Sequence, residues 1–211
     1  MALNQNHLVT LSQARTWLGI PVASVQLDID SVIETCINAA SGMIETFLDR
    51  KLILTNQVFR HDGNRTNSIE FSQWPVRSIV SIHDDATWQF GPERLLDPST
   101  YILSGDGMFV YTKYISFNSG NQNVRIEALY GYDSPSLPTI YPMHPIIGHA
   151  ALLMTEWLYA LRTDRRIGVD SKSKNSETIK FSEGIPETIA QMLLPLKRDF
   201  FMPDTRPLVL R

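Results

Sequence analysis

One cysteine, Cys36, is all that the 211 residues contain, so no internal disulfide can form, and without a CxxC pair there is no thiolate cage for zinc. No apolar run approaches the ~20 residues that would span a bilayer. The opening MALNQNHLVT has neither the basic stretch nor the apolar stretch of a secretory signal. A soluble chain, intracellular at synthesis and with no membrane partner, is expected. Excess basic charge is also missing. The 19 Lys and Arg stand against 22 Asp and Glu, a net charge of −3, whereas a protein that coats nucleic acid is normally basic. Glycine (11) and proline (12) are too few for a fibrous chain. What is present, 43% hydrophobic and 19% charged residues, suits a folded chain with one sizeable core or a core and a smaller lobe.

The charge is uneven. Residues 1–50 hold two basic and five acidic residues, 51–159 hold seven and ten, and 160–211 hold ten and seven. The last fifty residues therefore lean towards acidic partners, although a solvated surface explains the same bias.

Thr10-Leu11-Ser12-Gln13 has the form of a capping box. It opens a short helix that Gly19 stops, with Leu11, Ala14 and Leu18 as the buried stripe and Trp17 at its edge. A longer helix is expected from Asp30 to Leu48, roughly 28 Å at ~1.5 Å per residue. Asp28 and Asp30 supply its cap and first-turn charge, and Ser31 with Glu34 offers a second capping box. Two neighbouring apolar rows, Val32-Cys36-Ala39-Met43-Phe47 and Ile33-Ile37-Ala40-Ile44-Leu48, make a face wide enough for more than one packing partner.

The period then becomes alternating. Residues 52–60, 76–82, 107–112 and 123–130 read as strands separated by turn signals such as Asp62-Gly63-Asn64, Trp74-Pro75 and Asp97-Pro98-Ser99. With no helical pattern between them, an antiparallel meander is expected. A proline-rich return follows, and Pro145 suits the first position of a helix that is apolar nearly all round until Arg162, hence central and buried. Residues 163–184 read as a polar mobile loop or a weak hairpin pairing Ile167–Val169 with Thr178–Phe181. A last helix runs from Pro186 to about Phe201, kinked or ended by Pro195.

The fold class expected is α+β: mainly a bundle of about four helices with an inserted small antiparallel β lobe and an extended C-terminal arm. The helical domain takes 1–52 and 140–202, the β lobe 53–135, the polar loop 163–184 and the arm 203–211.

Chemistry-bearing patterns are sparse. His61-Asp62 and His83-Asp84-Asp85 are the only His/acid adjacencies, and they carry the alternative reading of a metal-dependent hydrolase. Adjacent strand residues point to opposite faces, so one dipeptide makes no site, and turn roles explain both. His144 and His149 are five apart, which misses the i, i+4 zinc arrangement. Cys36, on a buried row with no placed histidine, reads as a structural thiol. Gly105-Asp106-Gly107 lacks the pattern of a phosphate loop. Arg162, Arg165 and Arg166 cluster at the end of the central helix, where they complement its dipole or form an intersubunit anion site. A DNA-binding role, the second alternative, would centre on Arg165, Arg166, Lys172 and Lys174. No catalytic, metal or cofactor residue is assigned, and no cofactor is expected.

In order along the chain stand Leu8-Val9-Thr10-Leu11-Ser12-Gln13-Ala14 and Leu18-Gly19-Ile20, then Ala39-Ala40-Ser41-Gly42-Met43-Ile44-Glu45 running to Leu52. Trp74-Pro75-Val76-Arg77-Ser78-Ile79, Leu96-Asp97-Pro98-Ser99-Thr100-Tyr101 and Val124-Arg125-Ile126 with Tyr130-Gly131-Tyr132 follow, and Pro186 with Leu193-Leu194-Pro195-Leu196-Lys197-Arg198 closes the series. In this order of landmarks the chain resembles the head–tail connector (adaptor, head-completion) proteins of tailed bacteriophages. Two departures are the longer helix start Tyr141-Pro-Met-His-Pro145 and the arm beyond Phe201.

The resemblance implies a structural virion protein without catalysis. It implies a self-assembled ring, typically of twelve subunits, in the neck between capsid and tail, with the host cytoplasm as the place of assembly. Its partners would be the portal protein and a stopper or tail-completion protein, and genomic DNA would pass through without sequence-specific binding. Candidate intersubunit or portal contacts are Arg162, Arg165, Arg166, Asp204, Arg206, Leu208, Val209, Leu210 and Arg211.

Overall fold

Thr10 opens the first helix as its spacing predicts. In the computed structural model, which describes residues 7–21, 27–136, 140–163, 171–174, 177–180 and 184–197, the Thr10 hydroxyl accepts from the Gln13 amide at 3.2 Å and Gln13 Oε1 accepts from the Thr10 amide at 2.8 Å. Helix α1 (Leu11–Trp17) ends where Gly19 takes a φ of +70°, a conformation that costs glycine nothing. The chain divides into two units, Met1–Asp49 with His144–Arg211 and Arg50–Met143.

In the first unit, α2 (Leu27–Leu48) starts three residues before the expected Asp30. Ser31 therefore lies in the second turn and not at a cap, while Asp28 and Asp30 do sit in the first turn. The row Ile33, Ile37, Ala40, Ile44, Leu48 is at most 1% exposed. The neighbouring row is covered unevenly: Cys36 is buried, Val32, Met43 and Phe47 are half-buried, and Ala39 is exposed. Helix α3 (Pro145–Thr163) begins at Pro145, as expected. It packs on α2, with Ile147, Ala150, Ala151 and Met154 fully buried. Its burial is one-sided, however: Leu152, Leu153, Trp157 and Leu158 are only half-buried.

Arg15 is buried and donates from Nε to Asp30 at 2.6 Å, joining α1 to the first turn of α2. Ser41 accepts from the Leu8 amide and donates to the Ile37 carbonyl, which ties the N-terminal segment to α2.

Strand β7 (Ser171–Lys174) pairs antiparallel with β8 (Glu177–Lys180), from Ser171↔Lys180 to Lys174↔Glu177. The strand expected at Ile167–Val169 lies outside the described residues. The final helix α4 (Glu187–Leu193) is shorter than its pattern, because Pro195 follows and the chain tightens into a 3-10 turn over Leu194–Leu196.

The second unit holds β1 (Thr55–Gly63), β2 (Ser68–Glu70), β3 (Val76–Asp84), β4 (Tyr101–Leu103), β5 (Phe109–Thr112) and β6 (Gly120–Tyr130), in two antiparallel sheets of order β1-β6-β3 and β2-β5-β4. The expected meander is corrected: the last strand, β6, is central and pairs with both β1 and β3. Its alternation explains the place. Val124, Ile126, Ala128 and Tyr130 are at most 1% exposed on one face, while Arg125, Glu127 and Leu129 are half-buried on the other. The inner face joins Phe59, Ile69, Phe71, Val76, Ile82, Val110 and Phe117 in one core. At its edge Asn123 receives the Gly63 amide and donates to Asp84 and the Asn118 carbonyl. Gly63 is required there, since a Cβ would fall 1.7 Å from the Asn118 oxygen.

The fold is α+β, with strand about as common as helix, so the expected predominance of helix is corrected. The short strands β2 and β4, the paired β7 and β8, and the shortened α4 all contribute to the difference.

Candidate assembly surfaces

The histidines named for a metal centre do not converge. His61 on β1 pairs with Val124 of β6, and its ring stacks on Phe59 at 6.2 Å and meets Phe71 edge-on at 5.9 Å between centroids, on the core side of the sheet. Burial pushes its pKa down, and Asp62 opposes the shift. His83 pairs with Arg125, in the adjacent register row of β6, and meets Phe90. Neighbouring rows on β6 face opposite sides of the sheet, so the two imidazoles cannot share an ion. The carboxylates are occupied structurally. Asp62 accepts from the Gln122 amide, and Asp84 accepts from Asn118 and Asn123. No group of three or more His, Cys, Asp or Glu among the described residues could hold a metal ion. The metal-hydrolase reading is therefore set aside.

Asp85 organises the loop after β3. One carboxylate oxygen accepts from the Thr87 amide and hydroxyl, and the other accepts from the amides of Gln89 and Phe90, all between 2.7 and 2.9 Å. These bonds, led by the Thr87 hydroxyl, lower its pKa to about 2. They also hold Trp88 and Phe90 at φ of +60° and +50°, left-handed conformations unusual for such side chains. Phe90 is thereby laid beside three residues of one register row, Arg60, Arg125 and His83. The Arg60 guanidinium lies 5.1 Å and that of Arg125 5.9 Å from the ring centroid. Sequence reasoning missed this cluster, because its members are joined only by strand register.

Apolar exposure is widespread. In the first unit Leu27, Trp17 and Leu194 stand out. Trp17 donates from Nε1 to Glu156 at 2.7 Å, meets His149 edge-on, and borders a groove of about 430 Å³ lined by Ser12, Gln13, Thr16 and Leu152. In the second unit Val58, Val80, Ile102, Tyr111, Tyr114 and Ile115 are exposed. Scattered exposed apolar residues are ordinary, whereas contiguous ones mark contact surfaces. Ile102 and Tyr111 are register partners and therefore lie side by side on one sheet face.

Of the contact residues named from sequence, Arg162 is exposed in the last turn of α3. Its charge partly offsets the burial that raises the Cys36 thiol pKa, which places it near that buried cysteine. Arg165, Arg166, Asp204, Arg206, Leu208, Val209, Leu210 and Arg211 lie outside the described residues. Of the residues named for DNA binding, Lys172 and Lys174 belong to β7.

The chain is thus of two units, α+β, with apolar side chains exposed on both. A family model described as Head completion protein matches residues 7–198, and the chain belongs to that family. No curated protein is similar enough to count as a match. Among solved structures, a chain in the neck of a native gene transfer agent particle computed with C12 symmetry superposes with a TM-score of 0.56 at 15% identity, over 96% of this chain and 98% of its own. A chain from the virion of a native gene transfer agent particle gives 0.54 at 16%, over 88% and 97%. A chain from the neck of an empty particle computed with C6 symmetry gives 0.53 at 17%, over 88% and 100%. At these identities the likeness is one of fold.

Proposed function

We propose that the protein is a structural head–tail connector of a tailed-phage-like particle. Copies of the chain form a ring in the virion neck, beneath the portal, joining the capsid to a stopper or tail component and surrounding the path by which DNA leaves. The observation that carries this reading is family membership over residues 7–198. The shared fold of chains in particle necks supports it, and the C12 symmetry of one such neck fits a ring of twelve. No catalytic step is assigned. Rings close through heterologous contacts, so two different faces of each copy must be complementary. Arg162 with Arg165 and Arg166 would form one contact, and the arm 203–211 would dock on the portal or on the next subunit.

The composition of finished particles tests the reading. Mass spectrometry of purified virions should find this chain at about the copy number of the portal, and its deletion should leave filled heads without tails. Its absence from finished particles would overturn the proposal. Truncation after residue 202 should weaken co-sedimentation with the portal; undiminished binding would remove the arm from the account.

A further inference from the structure

We propose that Arg60, Arg125 and His83, set around the Phe90 ring on the outer face of the β1-β6-β3 sheet, form a docking site for an acidic segment of a partner polypeptide. Arg60 and Arg125 are direct cross-strand partners. Like charges opposite one another in a ladder are destabilising, so the chain bears a cost for placing them together. Neither guanidinium has a hydrogen bond or ion pair with a described residue; each has only the Phe90 ring. The neighbouring carboxylates are engaged elsewhere: both Asp85 oxygens by the loop, Glu127 by the Asn56 amide group and Asp62 by the Gln122 amide. His83 adds a ring whose Nδ1 is buried without a hydrogen-bond partner.

A guanidinium lying beside an aromatic ring keeps its N–H edge free, and each of the two offers the fork of donors that a carboxylate fills. The occupant is protein rather than nucleic acid. Val58, two residues from Arg60 on the same strand face, is exposed, and so is Leu95, which bridges to His83. Apolar flanks suit a peptide. Two arginines are few for duplex binding, which scales with the phosphates neutralised. The site does not rest on the connector reading.

The test titrates the full-length chain at low salt with a blocked hexaglutamate peptide, a blocked hexaglutamine peptide and a six-residue thymidine oligonucleotide. The readout is the arginine Nε–H resonances. Hexaglutamate should shift the Arg60 and Arg125 signals along a saturable curve. Arg60→Gln alone should weaken it several-fold, and R60Q/R125Q at least tenfold. R60K/R125K, which keeps the charge and loses the fork, should fall between. No saturable shift, equal binding of hexaglutamine, tighter binding of the oligonucleotide, or full binding by a folded R60Q/R125Q would each overturn the proposal.

Discussion

The two units solve the burial problem differently. The β unit takes period-2 segments and closes them on themselves: every second residue of β6 from Val124 to Tyr130 is buried in a core built within Arg50–Met143. The helical unit has more apolar surface than its own helices cover. Of the two rows on α2, one is fully buried and the other only in part, and α3 keeps four large apolar side chains half-buried. A strand offers two faces, and alternation assigns each a fate; a helix with two adjacent apolar rows needs a second partner. Both units keep apolar surface that other chains can cover: half-buried side chains on α2 and α3, and the exposed Val58, Val80, Ile102, Tyr111, Tyr114 and Ile115 of the β unit.

Core truncations should separate the units most sharply. Phe71→Ala removes a fully buried ring from the β core and should cost about 3–5 kcal/mol. Ile37→Ala in α2 should cost about 2–5 kcal/mol. Chemical denaturation followed by tryptophan fluorescence and by far-UV circular dichroism would show whether each change moves its own unit's transition. Equal displacement of a single transition by both would dissolve the distinction.

Acid should weaken the β unit in two steps. His61 has a depressed folded pKa, so its contribution is complete above the unfolded value of 6.5 and is lost as the pH falls through the folded one. Asp85, at about 2 when folded and 3.8 otherwise, contributes above 3.8 and loses that contribution as the pH falls towards 2. Urea midpoints measured from pH 8 to 3 should fall at both stages, with His61→Gln flattening the first and Asp85→Asn the second.

The local cap gives a smaller effect. Thr10→Ala should cost the helical unit about 0.5–2 kcal/mol and leave the β unit unchanged. Smallest of all is Leu27→Ser, expected to alter protomer stability by less than about 0.5 kcal/mol while reducing assembly, because Leu27 is 78% exposed. A folded variant that assembles normally would remove Leu27 from any contact surface.

What was legible in the sequence was local. The Thr10–Gln13 box, the Pro145 start and the α2 rows depend on residues within a turn or two of each other. The position of β6 was not legible, because it depends on pairs as far apart in the chain as Asp84 with Val124 and Thr55 with Tyr130. Three-residue strands such as β2 and β4 carry too little alternation to read. In the sequence Asp85 stands only as a neighbour of His83; its role as the acceptor for four loop donors exists only in the folded backbone. The Arg15–Asp30 pair and the row from Arg60 to His83 are contacts of the fold, without any spacing signature. The candidate contact residues came from clustered charge and a resemblance, and of these only Arg162 lies among the described residues.

Electron microscopy of the purified protein mixed with its portal tests the central claim most directly. The account predicts a closed ring of twelve copies seated on the portal, with apolar surface of the helical unit buried between neighbours. A protein that stays monomeric beside intact portal, or binds it as scattered single copies without a ring, would contradict it.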